Sequence, residues 1–205
     1  MPPPAIWILS LAAAYIAGSV PFGFLIGKMR GVDVRTVGSK NIGATNVYRT
    51  VGRKWGLLAF ACDFLKGFLP TLAALHLAGE AGCRHLPLAV GLATVAGHMF
   101  TCFMRFKGGK GIATGFGMLV ALLPGLVLAA FAVFAATVWI SHYISLGSCL
   151  AAAFLSVAVW LPVPGSPGPG NIPLSATVTA VGVLAIWKHR ANIARLRAGT
   201  ENRIY

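Results

Sequence analysis

The chain is poor in charge and poorest in acid. Only 10% of its 205 residues are charged, against about 25% in an average soluble domain, which excludes an ordinary soluble fold. Four residues are acidic, Asp33, Asp63, Glu80 and Glu201, so general-base chemistry by a carboxylate has few candidates. The four cysteines, Cys62, Cys83, Cys102 and Cys149, show no C-x-x-C spacing. Three of them lie in apolar runs, where cysteine behaves as a small hydrophobe, and neither a disulfide nor a metal site is assigned. No G-x-S-x-G elbow and no H-E-x-x-H zinc pattern occur, and Gly109-Lys110 is followed by Gly111 where a Walker A loop needs Ser or Thr. None of the five histidines has Asp five positions later. Transfer chemistry is therefore expected to rest on positioning and charge neutralisation with an activated substrate, with no cofactor and no metal.

Apolar residues fill the space that charge vacates. They make up 57% of the chain, with a mean hydropathy of +0.79. Runs near the 20 residues that a bilayer crossing needs fall at 5–27, 55–77 and 86–104. The stretch 112–142 is too long for one crossing and is interrupted at Pro124-Gly125, which predicts two helices. Two more runs follow at 146–161 and 174–187, separated by the Pro/Gly-rich loop 162–173. The expectation is an all-α membrane protein, one domain over 1–205, built as a bundle of seven transmembrane helices. Six is the alternative if Pro124 only kinks a helix. The N-terminal run, with its prolines and no basic n-region, is expected to stay as a span and not to be a cleaved signal.

Charge sets the expected orientation. With seven spans, 28–54, 105–111, 142–146 and 188–205 share one side. That side holds fifteen of the seventeen Lys and Arg residues, while the opposite loops hold Arg84 alone. The basic side is then cytoplasmic, with the N-terminus outside and the C-terminus cytoplasmic. A net charge of +13 placed this way favours anionic partners and membrane lipids. No nucleic-acid motif is present, and no nucleic acid is expected as a partner.

Four polar islands interrupt the apolar runs. Phe106-Lys107-Gly108-Gly109-Lys110-Gly111 joins two lysines to three glycines that let backbone N–H groups approach an anion, or else it is a flexible basic turn. The segment 38–49 offers Ser39, Asn41, Gly43, Thr45, Asn46 and Arg49 without an acid. These are phosphate and hydroxyl ligands, or ordinary turn residues before a capped helix. Asn46 and Arg49 share a face if that part is helical. Asp63 and Lys66 lie one turn apart inside a span, as a structural ion pair or with Lys66 facing an anion, and His98 is a packing or a working histidine. Ser141, His142, Ser145 and Ser148 mark a further turn. The tail, with His189 and Asn192 at i, i+3, reads as part of a site or as a basic helix on anionic lipid.

Taken in order, Gly18–Gly23, Gly38–Arg49, Gly97–Thr114 and His189–Glu201 resemble the bacterial acyl-phosphate-dependent glycerol-3-phosphate acyltransferases over nearly the whole chain. The His-x4-Asp pair of soluble glycerolipid acyltransferases is missing. The resemblance implies a seven-span enzyme of the bacterial inner membrane, its active site facing the cytoplasm. It would move an acyl group from acyl phosphate to the 1-hydroxyl of sn-glycerol 3-phosphate, giving lysophosphatidic acid and phosphate. Lys107, Gly108, Gly109, Lys110 and Gly111 would then hold the donor phosphate. Ser39, Asn41, Gly43, Thr45, Asn46 and Arg49 would hold glycerol 3-phosphate, with Lys66 and His98 among the binding residues. His189 and Asn192 would orient the hydroxyl, and Ser145 would add a hydrogen bond. Nothing in the chain demands an oligomer. Without the resemblance, an anion transporter and a basic membrane anchor compete with the enzyme. No inverted repeat supports the transporter.

Overall fold

A computed structural model of the chain describes residues 4–204. Met1–Pro3 and Tyr205 lie outside the described residues, and with them the expected outside position of the extreme N-terminus. The regular elements among the described residues are all helical. They fall into two compact units, Met1–Leu122 and Leu123–Tyr205.

The first unit is organised around one long helix. Its elements are α1 (Pro4–Ser19), α2 (Phe22–Met29), α3 (Ala44–Thr50), α4 (Arg53–Ala81), α5 (Leu86–Met99) and α6 (Ile112–Leu122). α4 packs against all five others, and α1 lies along α5. The α1–α5 crossing is close because it is built from glycine. A Cβ on Gly18 would overlap the Thr94 carbonyl, and one on Gly97 would overlap that of Tyr15, the small-residue contact that membrane helices use.

The first apolar run is not the continuous helix expected. It breaks between Ser19 and Phe22, because Pro21 lacks an N–H and pushes Val20 out of helical geometry. The break frees two carbonyls in an apolar setting, where each must find a donor. Thr101 Oγ1 donates to Ser19 O at 2.6 Å and Lys66 Nζ to Val20 O at 2.8 Å. A proline thus creates the acceptor that holds a distant lysine.

The second unit comprises α7 (Pro124–Ser141), α8 (Ile144–Ala158), α9 (Ile172–Lys188) and α10 (Arg190–Arg197), with α8 packed on α7 and α9. Pro124 ends one helix and begins the next, at the first helical position where its missing N–H costs nothing. The two-helix reading of 112–142 therefore holds. Each of the seven apolar runs contains a helix. Four segments, Pro4–Met29, Arg53–Gly79, Leu86–Met104 and Pro124–Ser141, are long and apolar enough to cross a membrane. A fifth is Ile172–Lys188 with Arg190–Arg197, if that pair, bent by 53°, counts as one. α6 and α8 are apolar but shorter.

Candidate active site

The glycine-rich segment lies over the end of α5. After Met99 the chain makes a 3-10 turn at Cys102–Met104, and Arg105 and Phe106 then both take left-handed backbone, with φ of 51° and 60°. Two consecutive non-glycine residues there cost about 1–3 kcal/mol each, strain that proteins keep at working positions. The reversal brings the loop back onto α5: Gly108 N–H donates to Met99 O at 3.2 Å and Gly109 N–H to His98 O at 3.1 Å. A Cβ on Gly108 would overlap the His98 carbonyl, and one on Gly109 the His98 ring. These two glycines therefore serve close packing; their N–H groups are bonded to protein and do not form the anion nest expected of them. Lys107 stands exposed at the crest, Lys110 half-buried behind it, and Gly111 turns into α6 at φ 82°.

Beneath the loop sits a buried polar cluster. Asp63 and Lys66 are only 2% and 7% exposed, and Lys66 Nζ lies 2.7 Å from Asp63 Oδ1. The same ammonium donates to Val20 O and stands 5.6 Å from the Phe22 ring centre. His98 Nδ1 lies 3.6 Å from Asp63 Oδ1. In so dry a place, removing either member of the pair would strand the other charge, at about 3–5 kcal/mol. Of Lys66 and His98, both expected near a ligand, His98 lies directly under Gly108 and Gly109, and Lys66 is bound to Asp63 and Val20 O.

In the first polar loop, Asn46 organises the backbone. Its Nδ2 donates to Val34 O at 2.7 Å and Val37 O at 3.2 Å, and its Oδ1 accepts the Ser39 N–H at 2.9 Å. Asn41 Oδ1 accepts the Gly43 N–H at 2.8 Å, turning the chain into α3. Asn46 and Arg49 do share this helix at the expected spacing. Asn46 is buried by its three bonds, whereas Ser39, Thr45 and Arg49 are half-buried. One acid enters this loop and is matched at once: Arg35 Nη2 donates to Asp33 Oδ2 at 2.6 Å, and Arg35 Nε to Oδ1 at 2.9 Å. Those side-chain bonds, with the Arg35 N–H, lower the Asp33 carboxyl to about 2.

The second unit holds Ser145, His189 and Asn192, and it gathers two of them on a residue that carried no role in the sequence reading. Glu201 Oε1 accepts from Asn192 Nδ2 at 2.6 Å and Ser145 Oγ at 2.9 Å, while Oε2 accepts from Arg195 Nε at 2.7 Å. Burial opposes the charge on Glu201, but the bonds from Asn192, Ser145 and Arg195 outweigh it and keep the carboxyl below its ordinary value. The tail is thereby folded onto α8 and α10. His189 is buried, and its Nδ1–H donates to Ala185 O at 2.8 Å. The signal for Glu201 was present in its scarcity: an acid among Arg195, Arg197 and Arg203 is rarely idle.

Apolar helices, a strained basic loop and a second loop of neutral donors together define an integral membrane protein with polar loops at its helix ends. A family model described as glycerol-3-phosphate acyltransferase matches residues 8–199, and the chain belongs to that family. Curated glycerol-3-phosphate acyltransferases from Trichlorobacter lovleyi and Geobacter metallireducens are 50% and 51% identical to it. The first alignment covers 94% of this chain and 95% of the relative, and the second 96% of each. The crystal structure of PlsY (YgiH), an integral membrane glycerol 3-phosphate acyltransferase, in its glycerol 3-phosphate form matches with a TM-score of 0.87 at 40% identity, over 97% of this chain and 96% of that one. Its lysophosphatidic acid form matches with a TM-score of 0.84 at 38% identity, over 97% and 95%.

Proposed function

We propose that this protein transfers a fatty acyl group from acyl phosphate to the 1-hydroxyl of sn-glycerol 3-phosphate, releasing lysophosphatidic acid and inorganic phosphate. The observation that carries the reading is the loop 105–111: a strained, acid-free, basic crest tied to the end of a membrane helix. Both substrates and one product bear phosphate, which such a crest neutralises. Family membership supports the acceptor, as do the glycerol 3-phosphate and lysophosphatidic acid forms of the PlsY structure.

In this reading Lys107, aided by Lys110 and Gly111, takes the leaving phosphate of the donor. Gly108 and Gly109 hold that loop in place over His98 and Met99. Ser39, Thr45 and Arg49 take the acceptor, on a loop shaped by Asn41, Gly43 and Asn46. Phosphate leaves with the electrons of the bond to the acyl carbon while the glycerol oxygen forms the new ester bond, so no covalent enzyme intermediate is required. From the second unit, His189 and Asn192 are assigned to the attacking hydroxyl and its proton, with Ser145 beside them. The chain is placed in the bacterial inner membrane with seven crossings, its N-terminus outside and the basic loops in the cytoplasm.

The test is turnover by purified protein in monoolein. Phosphate release and lysophosphatidate formation are followed with palmitoyl phosphate and glycerol 3-phosphate, and palmitoyl-CoA replaces the donor in parallel. Turnover with the acyl phosphate alone is expected. Folded protein that is idle with both donors, yet accumulates glycerol 3-phosphate in vesicles, overturns the reading in favour of an anion transporter. Lys107→Ala and Arg49→Ala should each lower activity far more than expression.

A further inference from the structure

We infer that Asp63 is a positioning residue of the acyl-transfer site, acting through Lys66 and His98 to set where the loop 107–111 stands. The inference rests on the proposed function for its link to catalysis but on geometry for the positioning itself. Three elements meet at this carboxylate. Lys66, on the same helix, is drawn to Asp63 and to the carbonyl freed by Pro21, which fixes the α1–α2 break against α4. His98, on α5, is held with Nδ1 3.6 Å from the same oxygen. The other edge of that ring is where the loop rests, because a Cβ on Gly109 would strike His98 Nε2.

The first half of the loop is tied back locally, by the Phe106 N–H to Thr101 O at 2.9 Å and the Lys107 N–H to Met104 O at 3.0 Å. Gly108 and Gly109 bond to the backbone of Met99 and His98, and His98 is the member of the cluster that the loop touches. Arg105 and Phe106 are wound left-handed immediately before them, so the segment needs a rigid seat to keep its strain. Asp63 is 2% exposed and sits on the far side of His98 from the loop. The arrangement is a buried acid that holds a histidine, and a histidine that holds the loop.

The test separates positioning from mere ion pairing. Asp63→Asn with Lys66→Met removes both charges together, which spares the cost of a stranded ion. If the pair only stabilises the helices, this double variant should keep native exchange across 107–111 and native kinetics, with melting lowered by the lost Lys66–Val20 O bond alone. Under the inference melting falls only by the loss of the Lys66–Val20 O bond, but backbone amides of 107–111 exchange hydrogen on the order of ten times faster. The KM for palmitoyl phosphate then rises on the order of ten- to a hundred-fold, with kcat changed much less. Native exchange across 107–111 overturns the inference whatever the enzyme turns over. Idle native protein overturns the proposed function instead, and exchange still decides the positioning.

His98→Ala supplies a second route if the double variant does not fold. It should loosen the same amides with the ion pair intact. It should also relieve Gly109→Ala, which is damaging in the native background because its Cβ meets the ring. Gly109→Ala remaining equally damaging with and without His98 overturns the inference.

Discussion

The basic loop 105–111 and the tail 189–203 carry cations in opposite circumstances. In the tail, Glu201 collects Arg195 with Asn192 and Ser145, so the positive charge is spent on holding the chain to itself. In the loop, Lys107 is exposed and pairs with no carboxylate among the described residues. Asp33, Asp63 and Glu201 each clamp neighbouring polar groups. The difference teaches how a chain so poor in acid uses it: these three carboxylates fasten structure, and Lys107 is left without one.

The comparison breaks most sharply at Lys107. Lys107→Ala should lower kcat/KM about 10²–10³-fold, the scale of losing one charge-stabilising donor, with melting unchanged by thermal unfolding in detergent. Glu201→Gln should act first on stability, removing charge-assisted bonds worth about 2 kcal/mol together and lowering the melting temperature by about 4–8 °C. Its pH dependence has a definite sign. The Glu201 carboxyl is depressed on folding, so its contribution is complete above the ordinary glutamate value of about 4.3. That contribution is lost as pH falls through the lower folded value. Melting followed from pH 7 down to pH 3 should show a larger fall in the native protein than in Glu201→Gln.

Two smaller changes sharpen the contrast. Phe106→Glu brings an acid to the loop and should cut activity about ten-fold at low salt, with recovery as ionic strength screens the new pair. Asp33→Asn, in an exposed pair, should move melting by no more than about 1 °C. A large shift there would mean that its fork with Arg35 fastens the first loop as Glu201 fastens the tail.

Much of this molecule was legible before any coordinates. Runs of apolar residues announce membrane helices because lipid imposes the same demand on every position. Pro124 announced its boundary, and the three-residue spacing announced both the Asp63–Lys66 pair and the shared helix of Asn46 and Arg49. The break at Pro21 is hidden in the sequence because the apolar run continues across it; only the freed carbonyls and their donors, Thr101 and Lys66, make it stable. Asn46 reads as a ligand in sequence and sits as a buried staple, because its partners Val34, Val37 and Ser39 are found only by folding. Gly108 and Gly109 read in sequence as an anion nest, whereas their N–H groups bond to Met99 and His98. Their neighbour is His98, ten residues upstream, and local spacing does not predict that contact.

The proline at 21 also carries a consequence for how this chain can change. Were it replaced by a residue that lets the helix run on, the Val20 carbonyl would close onto its own ladder and Lys66 would lose one of its two acceptors. Positions 21 and 66, forty-five residues apart, are therefore expected to vary as a pair. A substitution tolerated at one would decide which substitutions the other can survive, and libraries randomising either site alone should recover far fewer working proteins than libraries randomising both.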